Sequence, residues 1–186
     1  MIGKLGKSKK KIKVLVLNEE RFRDDLKELS KRNDVDLYSL SSKYQILINS
    51  LFLSKIRHLT LIDDKIFLKN DNVLIKKTRD NLCNYLCKIL KILKNKYKFD
   101  AIVSCTFYYR QDREWERAGQ LVKLPFFVLH KENMMDSVTH KSTIERYKKN
   151  NFKFNGQKIF LLNDLVKTVV LKSKSVTNDK VSVFGG

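Results

Sequence analysis

Three polar residues that could bind a carbohydrate or a phosphate follow a short apolar run at positions 101–105. They are Tyr109, Arg110 and Asp112. Aromatic faces beside guanidinium and carboxylate groups are the usual means of holding a sugar ring or a phosphate. The alternative is a helix N-terminus in which Asp112 complements the helix dipole. The sequence leaves both interpretations open, and it predicts that Trp115, one turn further on, lies in the core.

A second group of ionisable residues, His130, Lys131 and Glu132, comes directly after the apolar run at 126–129. The carboxyl end of a strand in a parallel sheet is where open α/β proteins bind their ligands. At such a place His130 and Glu132 could share a proton, bind a sugar hydroxyl or orient a phosphate. The alternative is that His130 caps the strand and binds a neighbouring loop. His130 and Glu132 are our candidate catalytic residues, and Lys131 joins the three residues above as a candidate for substrate binding.

Asn163 and Asp164 follow a third apolar run, at 158–162, and are a further candidate contribution to the same cleft. Asp164 also precedes an apolar helical pattern, and aspartate is a favoured N-cap residue. Capping of the next helix by Asp164 is the interpretation that we prefer for this pair.

Apolar runs and helical patterns alternate along the chain, which predicts a parallel sheet built from right-handed βαβ crossovers. The predicted strands are 14–17, 35–40, 101–105, 126–129, 158–162 and 181–184, with two further strand-like runs within 59–75. The predicted helices are 20–32, 44–53, 78–97, 110–122, 137–150 and 164–172. The fold class is therefore α/β: one Rossmann-like domain over residues 1–186, with helices on both faces of the sheet.

The loop after the first predicted strand argues against a nucleotide site in this domain. A dinucleotide site would carry G-x-G-x-x-G there, whereas this loop reads Asn18, Glu19, Glu20, Arg21. Without glycine the backbone cannot approach a pyrophosphate closely, and the two carboxylates would repel it. The chain also lacks a Walker loop and the usual zinc-hydrolase and serine-hydrolase motifs. Its three cysteines show no metal-binding spacing, so we expect neither a metal nor a cofactor in this chain.

The composition points to an anionic partner. The formal net charge is +19 over 186 residues, which attracts nucleic acid, an anionic membrane surface or a phosphorylated substrate. The lysines are spread along the chain and are not gathered with aromatic residues on one element, so nucleic acid is the less favoured partner. No run approaches the roughly 20 apolar residues of a membrane span, and an odd number of cysteines suits a reducing compartment. We expect a cytoplasmic protein with peripheral contact at the inner face of the membrane.

The sequence of the candidate region resembles that of a known family. The similarity is carried by YYRQDREWERAGQLVKLPFFVLHKE from Tyr108, by FKFNGQKIFLLND from Phe152 and by KVSVFGG from Lys180. These runs resemble the N-terminal half of bacterial GT-B-type surface-carbohydrate biosynthesis proteins, whose layout is similar to that of the CDP-glycerol glycerophosphotransferases. The similarity covers residues 99–186, and residues 1–98 match only in their alternation of strands and helices.

The resemblance implies one half of a two-domain enzyme. His130, Lys131 and Glu132 would then lie at the cleft between the domains, where the N-terminal domain receives a carbohydrate or lipid-linked acceptor. The nucleotide-activated donor would be held by a C-terminal domain that is absent from this sequence. We therefore expect the acceptor-side domain of a glycosyl- or glycerophosphate-type transferase of cell-surface polysaccharide biosynthesis, truncated and inactive alone.

A second hypothesis belongs to another class of protein. A stand-alone basic module would use the net charge of +19 to bind nucleic acid or an anionic membrane surface. It predicts strongly salt-dependent binding to polyanions in general.

Overall fold

A computed structural model describes residues 2–4, 12–21, 23–32, 34–56, 73–107, 110–130, 137–149 and 153–184. Within these residues the chain forms one sheet surrounded by helices. The strands are β1 (Ile2–Lys4), β2 (Ile12–Leu17), β3 (Val35–Leu40), β4 (Ala101–Ser104), β5 (Phe126–His130), β6 (Lys158–Leu161) and β7 (Val181–Val183). The helices are α1 (Arg23–Ser30), α2 (Ser42–Leu53), α3 (Val73–Tyr97), α4 (Arg110–Leu121), α5 (Ser137–Lys149) and α6 (Asp164–Lys172).

The sheet has seven strands in the order β1-β3-β2-β4-β5-β6-β7. All neighbouring strands pair in parallel except β1, which runs antiparallel to β3. From β2 the chain moves first to β3 on one side and then crosses back over β2 to β4 on the other. The strand order therefore reverses its direction between β2 and β4, and such a switch point leaves a crevice at the carboxyl edge of the sheet. The predicted α/β, Rossmann-like fold is confirmed.

The two faces of the sheet are covered by different helices. On one face, strand residues such as Leu15 and Ile102 pack in a single cluster with buried residues of α3, α4 and α6, and with partly buried residues of α2. On the other face, Val14 and Val16 pack against Leu26 of α1. Strands buried on both faces read as continuous apolar runs, which is why their positions could be found in the sequence.

Helix α4 lies close to the sheet because of the residues on its inner side. Trp115 and Ala118 are fully buried. A Cβ atom on Gly119 would lie 3.0 Å from the carbonyl oxygen of Leu124 and 3.3 Å from Cδ1 of Ile102, so only glycine permits this approach without adjustment. The close approach brings the first turn of α4 over the carboxyl ends of β2 and β4.

Most predicted elements are present, with differences at their ends. The bounds of β3 and α6 agree with the prediction, whereas α3 begins at Val73, five residues before the predicted start. Ile75, in the first turn of α3, is buried against Ile56. The sequence did not predict β1, because three residues carry too little pattern to reveal an edge strand. The strand-like runs predicted within 59–69 lie outside the described residues.

Within the described residues, no helix combines the length and the apolar character needed to cross a membrane.

Candidate functional site

A buried polar network lies at the switch point between β2 and β4. Asp112, in the first turn of α4, accepts a hydrogen bond from Asn18 Nδ2 at Oδ1 (2.8 Å) and one from Thr106 Oγ1 at Oδ2 (2.9 Å). Asn18 directly follows β2 and Thr106 follows β4, so one carboxylate joins both loops to the start of α4. The three side chains are almost completely buried. The network fixes the relative positions of these two loops and the first turn of α4.

Asn18 has a backbone conformation that few residue types adopt easily. Its φ angle is 56°, in the left-handed region, where asparagine is several times more frequent than most non-glycine residues. This conformation turns the chain away from β2 into a short helical turn at Glu19–Arg21. The hydrogen bond to Asp112 holds the asparagine side chain in place, so the turn and the network depend on each other.

His130 is the last residue of β5 and lies beside this network at the same edge of the sheet. Its register partner in β6 is Leu161. The imidazole is 1% exposed, and its ring centroid lies 5.1 Å from that of Phe107 in an edge-on arrangement. Phe107 also contacts the rings of Tyr147 and Phe154 edge-on. His130 thus belongs to a cluster of aromatic rings at the carboxyl edge, and its own ring is buried from solvent.

A second buried cluster joins α4 to α3. Glu114 accepts a hydrogen bond from Arg79 Nε at Oε1 and one from Arg117 Nη1 at Oε2, each at 2.6 Å. Arg117 also donates to Asp80 Oδ1 at 2.7 Å. The side chains of Arg79 and Glu114 are 5% and 4% exposed, so this pair is desolvated, whereas the Arg117–Asp80 pair lies near the surface. The cluster fixes the orientation of α4 and hence the position of Asp112.

Glu116 makes a third buried contact from the same helix. Its Oε1 accepts a hydrogen bond from the backbone N–H of Asn155 at 2.7 Å. Burial raises the pKa of Glu116 to about 7, although the backbone N–H groups of Asn155 and Gly156 and the charge of Arg113 act against the rise. The three carboxylates of α4 therefore have three different sets of neighbours, and all three are buried.

Burial has the same effect on Asp112. It raises the pKa from the ordinary 3.8 to about 6, while the hydrogen bonds from Asn18 and Thr106, the Ser104 hydroxyl and the charge of Arg21 oppose the rise. Two carboxyl groups on one helix thus titrate near neutral pH, which is unusual for aspartate and glutamate. Such groups occur at functional sites more often than elsewhere, so the raised pKa of Asp112 supports the location of the candidate site.

We expect the protein to become less stable as the pH rises from about 4 to about 7. In this range the unfolded chain has released the protons of Asp112 and Glu116 while the folded chain still holds them, so the unfolding free energy falls with increasing pH. Each unit between the folded and unfolded pKa corresponds to about 1.4 kcal/mol, which gives about 3 kcal/mol for Asp112. Urea unfolding at pH 4 and pH 8 measures this difference. Asp112→Asn and Glu116→Gln should each reduce it, and variants whose pH dependence parallels that of the unmodified protein would contradict the assignment.

The candidate residues from the sequence have different places in the structure. Asp112 and His130 are buried at the carboxyl edge, and Arg110 is the first residue of α4. Tyr109, Lys131 and Glu132 lie outside the described residues.

The preferred N-cap at α6 was wrong. Asn163 is the cap, since its Oδ1 accepts a hydrogen bond from the N–H of Val166 at 2.9 Å and its backbone is extended. Asp164 is the first helical residue, where its charge complements the helix dipole.

The sequence interpretation also missed Asn18 and Thr106 as members of the site. Asn18 was noted only as part of a loop without glycine. An asparagine directly after a buried strand is itself a signal, because asparagine tolerates the left-handed turn that a loop at this position requires. No comparable signal exists for Thr106, whose role follows from its position opposite Asp112.

Among the described residues, no group of three histidine, cysteine, aspartate or glutamate side chains is arranged to hold a metal ion. Cys83 and Cys105 are buried and Cys87 is partly buried, and none of the three forms a disulfide.

Comparison with known proteins gives no match. No family model matches the chain, and neither a curated protein nor a solved structure is significantly similar to it.

Proposed function

We propose that this chain is the acceptor-side domain of a glycosyl- or glycerophosphate-type transferase that makes cell-surface polysaccharide. The observation that carries the proposal is the buried Asn18–Asp112–Thr106 network at the switch point of the sheet. Open α/β sheets bind ligands at this point, and buried, mutually hydrogen-bonded side chains there give a crevice of fixed shape. The resemblance of residues 99–186 to GT-B-type enzymes supports the same location.

The reaction proposed for the crevice is transfer to an acceptor hydroxyl. A base removes the proton of the hydroxyl, and the oxygen attacks either the anomeric carbon of a sugar or the phosphorus of a glycerophosphate group. The bond to the nucleotide leaving group breaks, and its electron pair leaves with the nucleotide. The loop after β2 contains Glu19 and Glu20 and no glycine, which fits binding of the acceptor better than binding of the nucleotide.

The proposed roles of the residues follow from their places in the sequence, after the apolar runs of β4 and β5. His130 and Glu132 are the candidate bases, since catalytic hydrogen bonds are often completed only in the substrate complex. Tyr109, Arg110 and Lys131 are the candidates for holding the sugar or phosphate. Asp112 was a candidate for the same task, but because it is buried and already hydrogen-bonded we assign it a positioning role.

The proposed partners are a carbohydrate or lipid-linked acceptor and a second domain that binds the nucleotide-activated donor. The proposed location is the cytoplasm, at the inner face of the membrane. A transferase that acts on lipid-linked acceptors must reach them at this interface, and a formal net charge of +19 favours approach to anionic lipid.

Binding measured through Trp115 distinguishes this proposal from the basic-module hypothesis. Trp115 is the only tryptophan and lies one turn after Asp112, so its fluorescence should report on ligands at the carboxyl edge. We expect saturable changes with N-acetylglucosamine 1-phosphate or glycerol 3-phosphate and none with a DNA duplex at low salt, where a basic module binds most tightly. Arg110→Gln should weaken the sugar-phosphate response, whereas Arg32→Gln, which removes an exposed pair with Asp34, should not. Tight DNA binding without any sugar-phosphate response would favour the basic module.

A further inference from the structure

Helix α2 presents an apolar surface to solvent. Its exposed apolar residues are Tyr44, Ile46, Leu47 and Leu51, of which Ile46 and Leu51 are 67% and 59% exposed. Tyr44, Leu47 and Leu51 share one side of the helix at spacings of three and four residues, and Ile46 lies at the margin of that side. We call these four residues the outer face of α2. Single exposed apolar residues are normal on proteins, but a contiguous group usually marks an interaction site.

The opposite side of α2 combines amide side chains with apolar ones, since Ile48 and Phe52 are partly buried against the core. Gln45 is 2% exposed and donates from Nε2 to the carbonyl oxygen of Leu40 at 3.0 Å. Gln45 Oε1 and Asn49 Oδ1 are buried, and neither has a hydrogen-bond partner among the described residues. Apolar residues therefore lie on both sides of α2, and those of the outer face remain exposed.

The surface continues onto the first turn of α3. Leu53, Ile56 and Ile75 form a small cluster that joins the end of α2 to the start of α3. In that turn Val73 and Leu74 are 81% and 46% exposed. The apolar surface therefore spans two helices that are packed together.

Basic side chains border this surface. Lys43 in α2 and Lys76 and Lys77 in α3 are exposed, and neither α2 nor the first turn of α3 contains an acidic residue. Of the described carboxylates nearby, Asp80 pairs with Arg117, whereas Glu20 keeps its negative charge while it accepts a hydrogen bond from Ser42. Apolar residues flanked by lysines are the combination that binds the boundary between headgroups and acyl chains in anionic lipid.

From this arrangement we infer that the outer face of α2, with the first turn of α3, docks on an anionic lipid bilayer. The inference goes beyond the proposed transfer reaction and does not depend on it. Helix α2 begins directly after β3, whose last residue Leu40 is in register with Leu17 of β2, so the surface lies at the same edge of the sheet as Asn18. Docking would bring that edge to the lipid surface.

Vesicle binding tests the inference. The probes are vesicles of phosphatidylcholine alone and vesicles containing 40% phosphatidylglycerol. We expect the unmodified protein to bind the anionic vesicles, and Leu47→Ser with Leu51→Ser to weaken this binding about tenfold or more, because affinity scales with the buried apolar area. The matched control is Ile92→Ser with Leu121→Ser. These two aliphatic residues are at least as exposed as Leu47 and Leu51, but they lie near the carboxyl ends of α3 and α4, towards the amino edge of the sheet. This control should bind like the unmodified protein.

Two further measurements separate lipid docking from its alternatives. Leu47→Trp should strengthen binding to the anionic vesicles, since tryptophan favours the membrane interface. Light scattering should show a monomer for both the unmodified protein and the α2 variant. The inference is overturned if the unmodified protein does not bind the anionic vesicles, or if the α2 and control variants lose binding equally. It is also overturned if the outer face is a contact between two copies, so that the serine changes convert a dimer into a monomer.

Discussion

Replacing Glu114 by alanine is expected to lower the free energy of unfolding by about 3–5 kcal/mol, because it removes one partner from a buried ion pair. The lost contact is the 2.6 Å hydrogen bond between Arg79 Nε and Glu114 Oε1, with both side chains almost completely buried. Arg117 loses a second contact of 2.6 Å to the same carboxylate. The guanidinium of Arg79 would remain in a desolvated place from which its principal counter-charge is gone. Guanidinium chloride unfolding measures the change.

Two controls separate the ion pair from general effects of losing a glutamate. Glu145 pairs with Lys148 at 3.4 Å on the surface, so Glu145→Ala should change the unfolding free energy by no more than about 1 kcal/mol. Arg79→Met combined with Glu114→Leu should recover most of the loss, because apolar residues of similar volume often replace a buried ion pair without cost. If Glu114→Ala costs no more than Glu145→Ala, the buried cluster does not hold α4 in place.

Replacing His130 by glutamine is expected to lower turnover by about 10²–10⁴-fold in the protein joined to a donor-binding domain, which is the usual contribution of a general base. Glutamine keeps a polar side chain of similar size at the end of β5, so the packing against Phe107 is largely retained. The loss should appear in kcat, with little change in the KM for the acceptor. A transfer assay with a labelled donor, with thermal unfolding in parallel, measures both quantities.

His140 provides the matched control for this change. It lies in α5 and is partly buried, so His140→Gln tests whether any loss of a histidine ring reduces activity. Glu132→Gln tests the second candidate base in the same assay. Turnover within a factor of about two of the unmodified protein for both His130→Gln and Glu132→Gln would remove these residues from the mechanism, since a general base contributes far more.

The strands and the apolar core could be predicted because each depends on a local pattern. The run at 35–40 became β3 with the predicted bounds, and Trp115 is fully buried as expected. The start of α3 could not be predicted, because the burial of Ile75 depends on Ile56, which is distant in the sequence. The position of the candidate site could be predicted from the same pattern. The candidate residues directly follow apolar runs, and where such runs form parallel strands, the loops after them meet at the carboxyl edge of the sheet.

The burial of the α4 carboxylates could not be predicted. In the sequence, Asp112, Glu114 and Glu116 alternate with Arg113 and Trp115, a pattern typical of a solvated helix start. Their partners are distant in the chain: Asn18 is separated from Asp112 by 94 residues and Arg79 from Glu114 by 35. A polar residue is buried when such a partner is present, and periodicity carries no information about the partner. The internal network of the site is therefore a property of the fold.

Mapping of amide chemical shifts during an acceptor titration tests most directly whether the carboxyl edge of the sheet binds an acceptor. The ligand is N-acetylglucosamine 1-phosphate or glycerol 3-phosphate, with UDP-N-acetylglucosamine and CDP-glycerol as donor-type comparisons. The account predicts saturable shifts centred on Asn18, Thr106, Arg110 and His130 with the acceptor-type ligands, and weaker, scattered shifts with the nucleotides. Asp112→Asn should retain the fold and weaken the titration. Shifts confined to surface lysines, or saturable nucleotide binding at the same residues, would contradict the account.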